Sequence, residues 1–267
     1  MPDPSPRLPL SVSIVCCDNA STIERCVASV SGWVSEIVAV DSGSTDGTLE
    51  ILRSHAEVRV VEQPWLGYVK QKQFALEQCT QPWVLHLDSD ESVEPDLRQA
   101  IETFITEDGR GRAGAMVNRK VWYRGRALNH AWQPEWRLRL VRQGIAKWGG
   151  LDPHDAMEFL DPGALGSRLS GDLRHDSVPD IAGFLARQVS HARIGAESAH
   201  AAGKRTSLLK LVTSPVGAWL KQMVVRRAFL DGWRGWLAAS ATAIAAAMKH
   251  MVLLELGDQG RGTRDEG

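Results

Sequence analysis

The sequence predicts an α/β fold with a mostly parallel sheet, followed by a basic helical region, and three observations carry that expectation. Short apolar runs alternate with helically spaced segments over the first hundred residues. Two acidic, hydroxyl-rich turns each follow an apolar run, which is where ligands sit in parallel sheets. The charge then changes sign along the chain: residues 1–186 carry a net −7 and residues 187–249 a net +8.

Leu10 to Cys17 reads as a buried strand, and residues 21–31 as a helix with Ile23, Cys26, Val27 and Val30 on one face and Gly32 beyond its end. A second strand at 36–40 runs into Asp41-Ser-Gly-Ser-Thr-Asp-Gly-Thr48 and a helix through Leu49, Ile51 and Leu52. A third strand covers 58–61, a helix 68–78, and a fourth strand 83–87 that ends at Asp88-Ser-Asp-Glu91. Residues 96–105 are again helical. From about 110 to 178 the pattern loosens into a Gly- and Trp-rich stretch with short strands at 115–118 and 138–140. From Ile181 the chain is helical and basic. The division expected is a flexible 1–9, an α/β domain over 10–180, a helical region over 181–256 and a disordered tail over 257–267.

A chain of 267 residues with 43% apolar residues builds a packed core, and a net charge of −1 excludes a nucleic-acid binder, which would be visibly basic. The four cysteines, at 16, 17, 26 and 79, form no C-x-x-C pair, so neither a zinc site nor a disulfide framework is expected, in keeping with a reducing cytosol. The first ten residues lack a signal-peptide pattern. The longest uncharged apolar run, Trp236 to Met248, has thirteen residues, too few for a spanning helix. Ten tryptophans against two tyrosines favour sugar rings or membrane interfaces.

The turn at 41–48 could be a plain βα connection, but such a connection needs one cap, from Ser44 or Asp46, and here eight consecutive residues are polar or Gly. A carboxylate at that strand end suits a sugar hydroxyl or a base N–H. Asp88 and Asp90 could likewise belong, with Glu91, Glu94 and Asp96, to a solvated helix start. At the ligand edge of a sheet, the same pair calls for a hard cation, Mg2+ or Mn2+, completed by phosphate and water.

Asp-x-Gly-Ser-x-Asp-x-Thr at 41–48 and Leu-Asp-x-Asp at 87–90 resemble the family 2 glycosyltransferases. A finer resemblance, to the bacterial lipopolysaccharide core glucosyltransferases, rests on four segments: Gly67-Tyr-Val-Lys-Gln-Lys-Gln-Phe-Ala-Leu76, Glu135-Trp-Arg-Leu-Arg-Leu140, Leu169-Ser-Gly-Asp-Leu-Arg-His175 and Phe229-Leu-Asp-Gly-Trp-Arg-Gly235. The resemblance implies a GT-A fold, Rossmann-like, and an inverting, metal-dependent transfer of a sugar, glucose from UDP-glucose, to a lipid-linked saccharide such as inner-core heptose. It implies Asp41 against the nucleoside, Asp88 against ribose and metal, Asp90 as the metal ligand, Lys72 near the phosphates and Asp155 as the general base. Arg137, Arg139 and His154 are candidates for phosphate or acceptor. Where relatives carry Thr-x-Asn-Glu after the first strand, this chain has Cys17-Asp18-Asn19-Ala20, so the acidic contact to the base is absent or shifted to Asp18.

The basic rear, with Trp219, Trp233 and Trp236, reads as interfacial helices on anionic lipid, which implies a peripheral place on the inner face of the cytoplasmic membrane. The alternatives are transfer to another carrier (polyprenyl phosphate or an exopolysaccharide precursor) and a non-catalytic membrane-associated sugar-binding protein. A nucleotidyltransferase would open with a Gly-rich loop after its first strand, and residues 16–20 offer none.

Overall fold

In the computed structural model, which describes residues 7–151, 154–178 and 180–262, strand β1 (Leu8–Cys16) lies inside a parallel sheet. Its alternate residues Leu10, Val12, Ile14 and Cys16 enter one core, while Ser11 and Ser13 are buried on the opposite face. It pairs in parallel with β2 (Val34–Asp41) on one side and β4 (Trp83–Asp88) on the other, and β2 pairs in parallel with β3 (Val58–Glu62). Burial on both faces explains why these strands read as continuous apolar runs.

Helices α1 (Ile23–Val30) and α4 (Pro95–Thr106) cover the first face through Ile23, Cys26, Val27, Leu97 and Ile101, with Leu52 of α2 (Thr48–Ser54) in the same core. Helix α3 (Tyr68–Glu77) covers the second face with Ala75 and Leu76. Beyond β4 the sheet continues through antiparallel strands. With β5 (Glu91–Val93), β6 (Gly114–Tyr123), β8 (Trp136–Arg142) and β11 (Gly166–His175), its order is β3-β2-β1-β4-β8-β6-β11-β5, and β7 (Arg126–Ala127) pairs with the end of β6. A separate hairpin, β9 (Ala146–Leu151) and β10 (His154–Phe159), adds Ala146, Trp148 and Met157 to the core beside α3.

The chain forms two compact units, and neither is continuous in sequence. The first runs through Lys120 and resumes over Glu135–Asp176; the second takes Val121–Pro134 and the chain from Ser177. Residues 121–134, expected within the α/β domain, therefore belong with the helices. The Asp231 carboxylate accepts from the backbone amides of Asn129, His130 and Ala131 at 3.0, 3.0 and 2.8 Å, and Gln222 Oε1 accepts from Trp132 N at 3.1 Å.

Helix α5 (Ile181–Ala201) starts at Asp180, whose side chain accepts from Gly183 N. It packs along α7 (Trp233–Gly262), as does α6 (Leu208–Leu220). Ala238, Ala239 and Ala241 of α7 join Val121, Tyr123, Leu128, Phe184 and Met223 in the second core. Two terminal expectations are corrected: β1 already begins at Leu8, and α7 extends through 257–262, while residues 1–6 and 263–267 lie outside the described residues. The reading that no helix could span is also corrected. Trp233–Asp258, of mean hydropathy 1.5, is long and apolar enough to cross a membrane by length and composition, with 22% of that window buried. Counting only uncharged residues missed it, because Lys249 ends the run.

Helix α6 buries none of its residues, and Leu208, Leu209, Val212, Val216 and Leu220 form an exposed stripe at intervals of mostly four.

Candidate active site

The sheet register brings both acidic turns to one edge. Val15 of β1 lies opposite Val40 of β2 and Asp88 of β4, and Cys16 lies opposite Asp41. Asp41 itself is fully buried. Its Oδ2 accepts from Gly43 N at 2.8 Å and Ser44 N at 2.9 Å, and its Oδ1 accepts from Ser44 Oγ. Asp41, expected against the nucleoside, thus has its carboxylate bonded within its own turn.

The other polar groups of that turn are also bonded locally. Asp46 Oδ1 accepts from Thr48 N at 3.1 Å, just ahead of α2, whose N-cap Gly47 has no side-chain cap, while Ser44 Oγ donates to Asp41. Asp18 Oδ1 accepts from Thr45 N at 2.8 Å, Ser44 Oγ accepts from Asp18 N at 2.9 Å, and Thr48 Oγ1 accepts from Asn19 N at 2.8 Å. The first two βα turns are therefore stitched together, and the acid shifted to Asp18 serves as a brace.

The second turn carries the charged centre. Lys72 Nζ stands 2.7 Å from Asp88 Oδ1 and 2.8 Å from Asp155 Oδ2, bridging residues from α3, β4 and β10. The β9–β10 hairpin is fixed there because Gln73 Oε1 accepts from Trp148 N at 2.9 Å, and the Lys72 ammonium lies 4.8 Å from the centre of the Trp148 ring. The Lys72 and Asp155 side chains are each 11% exposed, so this pairing is weakly screened by solvent.

Arg139, 4% exposed, donates from Nη2 to Asp88 Oδ2 at 2.8 Å and to Glu91 Oε1 at 2.9 Å. Glu91 Oε2 in turn accepts from Asp88 N at 3.0 Å, which closes the turn. Arg119 pairs with Glu135 at 2.6 Å and approaches Glu91 to 3.6 Å. Burial pushes the Asp88 carboxyl upward, but the Lys72 and Arg139 charges outweigh it and hold the group well below the ordinary carboxylate range. Asp90 and His175 Nε2 meet at 3.3 Å. Burial opposes the charge of both, yet their attraction lowers the pKa of Asp90 and raises that of His175. Beneath the turn His86 is fully buried, 3.2 Å from Ser13 Oγ through Nδ1 and 4.7 Å from the Trp148 ring centre. Burial drives its pKa down to about 4, so it is neutral at pH 7.

Four expected site residues, Lys72, Asp88, Arg139 and Asp155, thus converge in one cluster, with Asp90 two residues along the turn. Arg139 is a buried counter-ion to Asp88 and Glu91, and Lys72 is held between Asp88 and Asp155. Arg137 is exposed and pairs with Glu135 at 2.7 Å. The His154 side chain lies outside the described residues. Of the tryptophans at 132, 136 and 148, Trp148 is buried, Trp136 is half-buried 5.1 Å from the Arg168 guanidinium, and Trp132 belongs to the second unit, donating from Nε1 to Thr242 Oγ1 at 2.9 Å. Arg119, Glu91 and His86 were missed. The available signal was a charge at each alternate position of Arg137-Leu-Arg139, which requires acids facing that side of β8.

Among the described residues no three His, Cys, Asp or Glu side chains converge as a metal-binding group. Two carboxylates still suit a hard cation that takes its remaining ligands from phosphate and water. Asp90 fits best, since its side chain is 30% exposed. The carboxylate of Asp88 is already neutralised by Lys72 and Arg139.

A parallel sheet with acidic turns at its carboxyl edge and a buried carboxylate pair is the framework of a GT-A group-transfer enzyme. The model of glycosyl transferase family 2 matches residues 11–158. The chain belongs to that family and is a glycosyltransferase. It is 29% identical to the lipopolysaccharide core biosynthesis glycosyltransferase LpsC of Rhizobium meliloti (strain 1021), over 90% of each chain. Its fold is similar to that of mannosyltransferase PcManGT from Pyrobaculum calidifontis, solved with GDP-Man and Mn2+, with a TM-score of 0.54, 17% identity and coverage of 94% and 89%. It is also similar to residues 1–349 of S. aureus TarS, solved with UDP, with a TM-score of 0.50, 16% identity and coverage of 94% and 91%.

Proposed function

We propose that this glycosyltransferase moves a hexose, glucose from UDP-glucose, onto a lipid-linked saccharide, the inner-core heptose of lipopolysaccharide, with inversion at the anomeric carbon. The observation that carries the reading is the Lys72 bridge, which holds Asp155 within one ammonium group of Asp88 at the ligand edge of the sheet. The similarity to LpsC along nearly the whole chain supports the acceptor class.

In the reaction, Asp155 accepts the proton of the acceptor hydroxyl as that oxygen bonds to the anomeric carbon. The bond from that carbon to the diphosphate breaks on the opposite face, and the nucleoside diphosphate leaves with the electron pair. Lys72 orients Asp155, and Lys72 and Arg139 add positive charge where the leaving group gains negative charge. Asp90, with Asp88, would hold Mg2+ or Mn2+, and such an ion supplies Lewis-acid stabilisation of the diphosphate. Asp41 and the stitched turns act by keeping the edge rigid. The exposed stripe of α6 and the basic residues around it support a peripheral place on the inner face of the cytoplasmic membrane.

Asp155→Asn is the test, assayed with a panel of UDP- and GDP-sugars in the presence of Mn2+. Transfer should fall by about 10²–10⁴-fold, while donor binding, read as a thermal shift, stays near the wild-type value. Near-normal turnover would remove Asp155 from the base role.

A further inference from the structure

The segment Arg227–Gly235 of the second unit takes no part in the chemistry above, yet its backbone is tightly constrained. Arg227 has φ 57° and Gly232 φ 64°. A Cβ on Gly235 would lie 1.7 Å from Ala228 O, so only glycine fits there. Positions this demanding gather where a binding surface must be held in one shape.

What the segment holds open is a cavity of about 610 Å³, lined by Arg126, Asn129, Asp231, Gly232, Trp233 and Arg234 among others. That volume suits a saccharide-sized ligand. Asp231 is the one acid in the lining, and its carboxylate is already engaged by three backbone amides. The two arginines therefore keep their charge. Arg126 is exposed and has no carboxylate partner among the described residues. Arg234 donates from Nε to Tyr123 O at 3.2 Å and lies 4.7 Å from the Trp233 ring centre, with no carboxylate partner among the described residues. A planar guanidinium matches phosphate geometry, two of them line this cavity, and the half-exposed Trp233 indole adds a flat face for a sugar ring.

We propose that this cavity binds a phosphate group carried by a saccharide or a lipid headgroup. The inference stands on the second unit alone and asks nothing of the transfer reaction.

The full chain, without donor, is titrated with glucose 1-phosphate and separately with vesicles of phosphatidylglycerol in phosphatidylcholine. The variants are Arg126→Gln, which removes an exposed cation with no carboxylate partner among the described residues, and Arg53→Gln, an exposed arginine of the first unit that pairs with Glu62. If the site takes sugar phosphates, Arg126→Gln weakens glucose 1-phosphate about ten-fold and Arg53→Gln leaves it unchanged. If it takes lipid headgroups, the same contrast appears with vesicles only. Equal binding by Arg126→Gln and wild type for both probes, or equal losses in the two variants, overturns the site. An unchanged melting temperature for Arg126→Gln confirms that the fold is intact. Because no sugar is transferred, failure here leaves the role of Asp155 standing.

Discussion

In the first unit Lys72 and Arg139 are buried, Arg119 is partly buried, and each faces at least one carboxylate, whereas in the second Arg126, Lys210 and Arg234 meet none among the described residues. Apolar groups show the reverse contrast. The strands of the first unit bury their valines and leucines, while α6 leaves five of its apolar side chains in contact with solvent. Removing one member of a closed charge network strands its partners away from water, which is costly. An open cation or an exposed leucine costs little to replace and instead awaits something from outside. The buried cluster of the first unit thus satisfies its own charges, and the second unit leaves these cations and the α6 apolar side chains facing solvent.

Arg139→Met should give the largest effect, since it removes the cation nearest to the buried Glu91 and shared with Asp88. A loss of about 3–5 kcal/mol is expected, read as a melting temperature lower by about 10 °C. The half-exposed Arg137→Met should cost at most about 1 kcal/mol. Equal losses in the two variants would erase the contrast between closed and open charges within a single strand.

Acid should act on the first unit in a particular window. Burial opposes ionisation of Glu135, but Arg119 and Arg137 outweigh it and lower its pKa from 4.5 to about 2. A carboxylate with a lowered folded-state pKa contributes stability that is complete above its unfolded value and is lost as pH falls through the folded one. Between pH 4.5 and 2, denaturant melts of the wild type should therefore lose about 2 kcal/mol that Glu135→Gln does not lose. Parallel acid limbs in the two proteins would refute this.

The smallest change in stability is expected from the double substitution Val212→Glu and Val216→Glu on α6, within about 0.5 kcal/mol of wild type. The same variant should no longer float with phosphatidylglycerol liposomes at low salt. Flotation that survives would deny the stripe a role at lipid, and a large loss of stability would place it in a packed core.

How much of this was legible depended on what each residue faces. The parallel strands and their helices were readable because both faces are buried and one carries an unbroken apolar period, as in Leu10, Val12 and Ile14. The antiparallel extension was harder, because β8 buries Arg139 and β5 buries Glu91, and sequence alone does not show that each charge completes the other. Asp88, Lys72 and Asp155 were found through motif and resemblance, but the Lys72 bridge joins residues up to 83 positions apart and no local spacing encodes it. The part that Asp41 plays in its own turn was hidden for a related reason: a carboxylate that shapes its turn and one that meets a ligand leave the same letters in the chain.

The interleaving of the two units bears on any effort to exchange parts between relatives. A fragment cut at residue 180 and grafted elsewhere would carry α5 to α7 but leave behind Val121, Tyr123, Leu128 and Ala131, and with them the amides that quench Asp231. The transplantable module is two stretches of chain, and a chimera that moves only the later one would arrive with a hole in its interior.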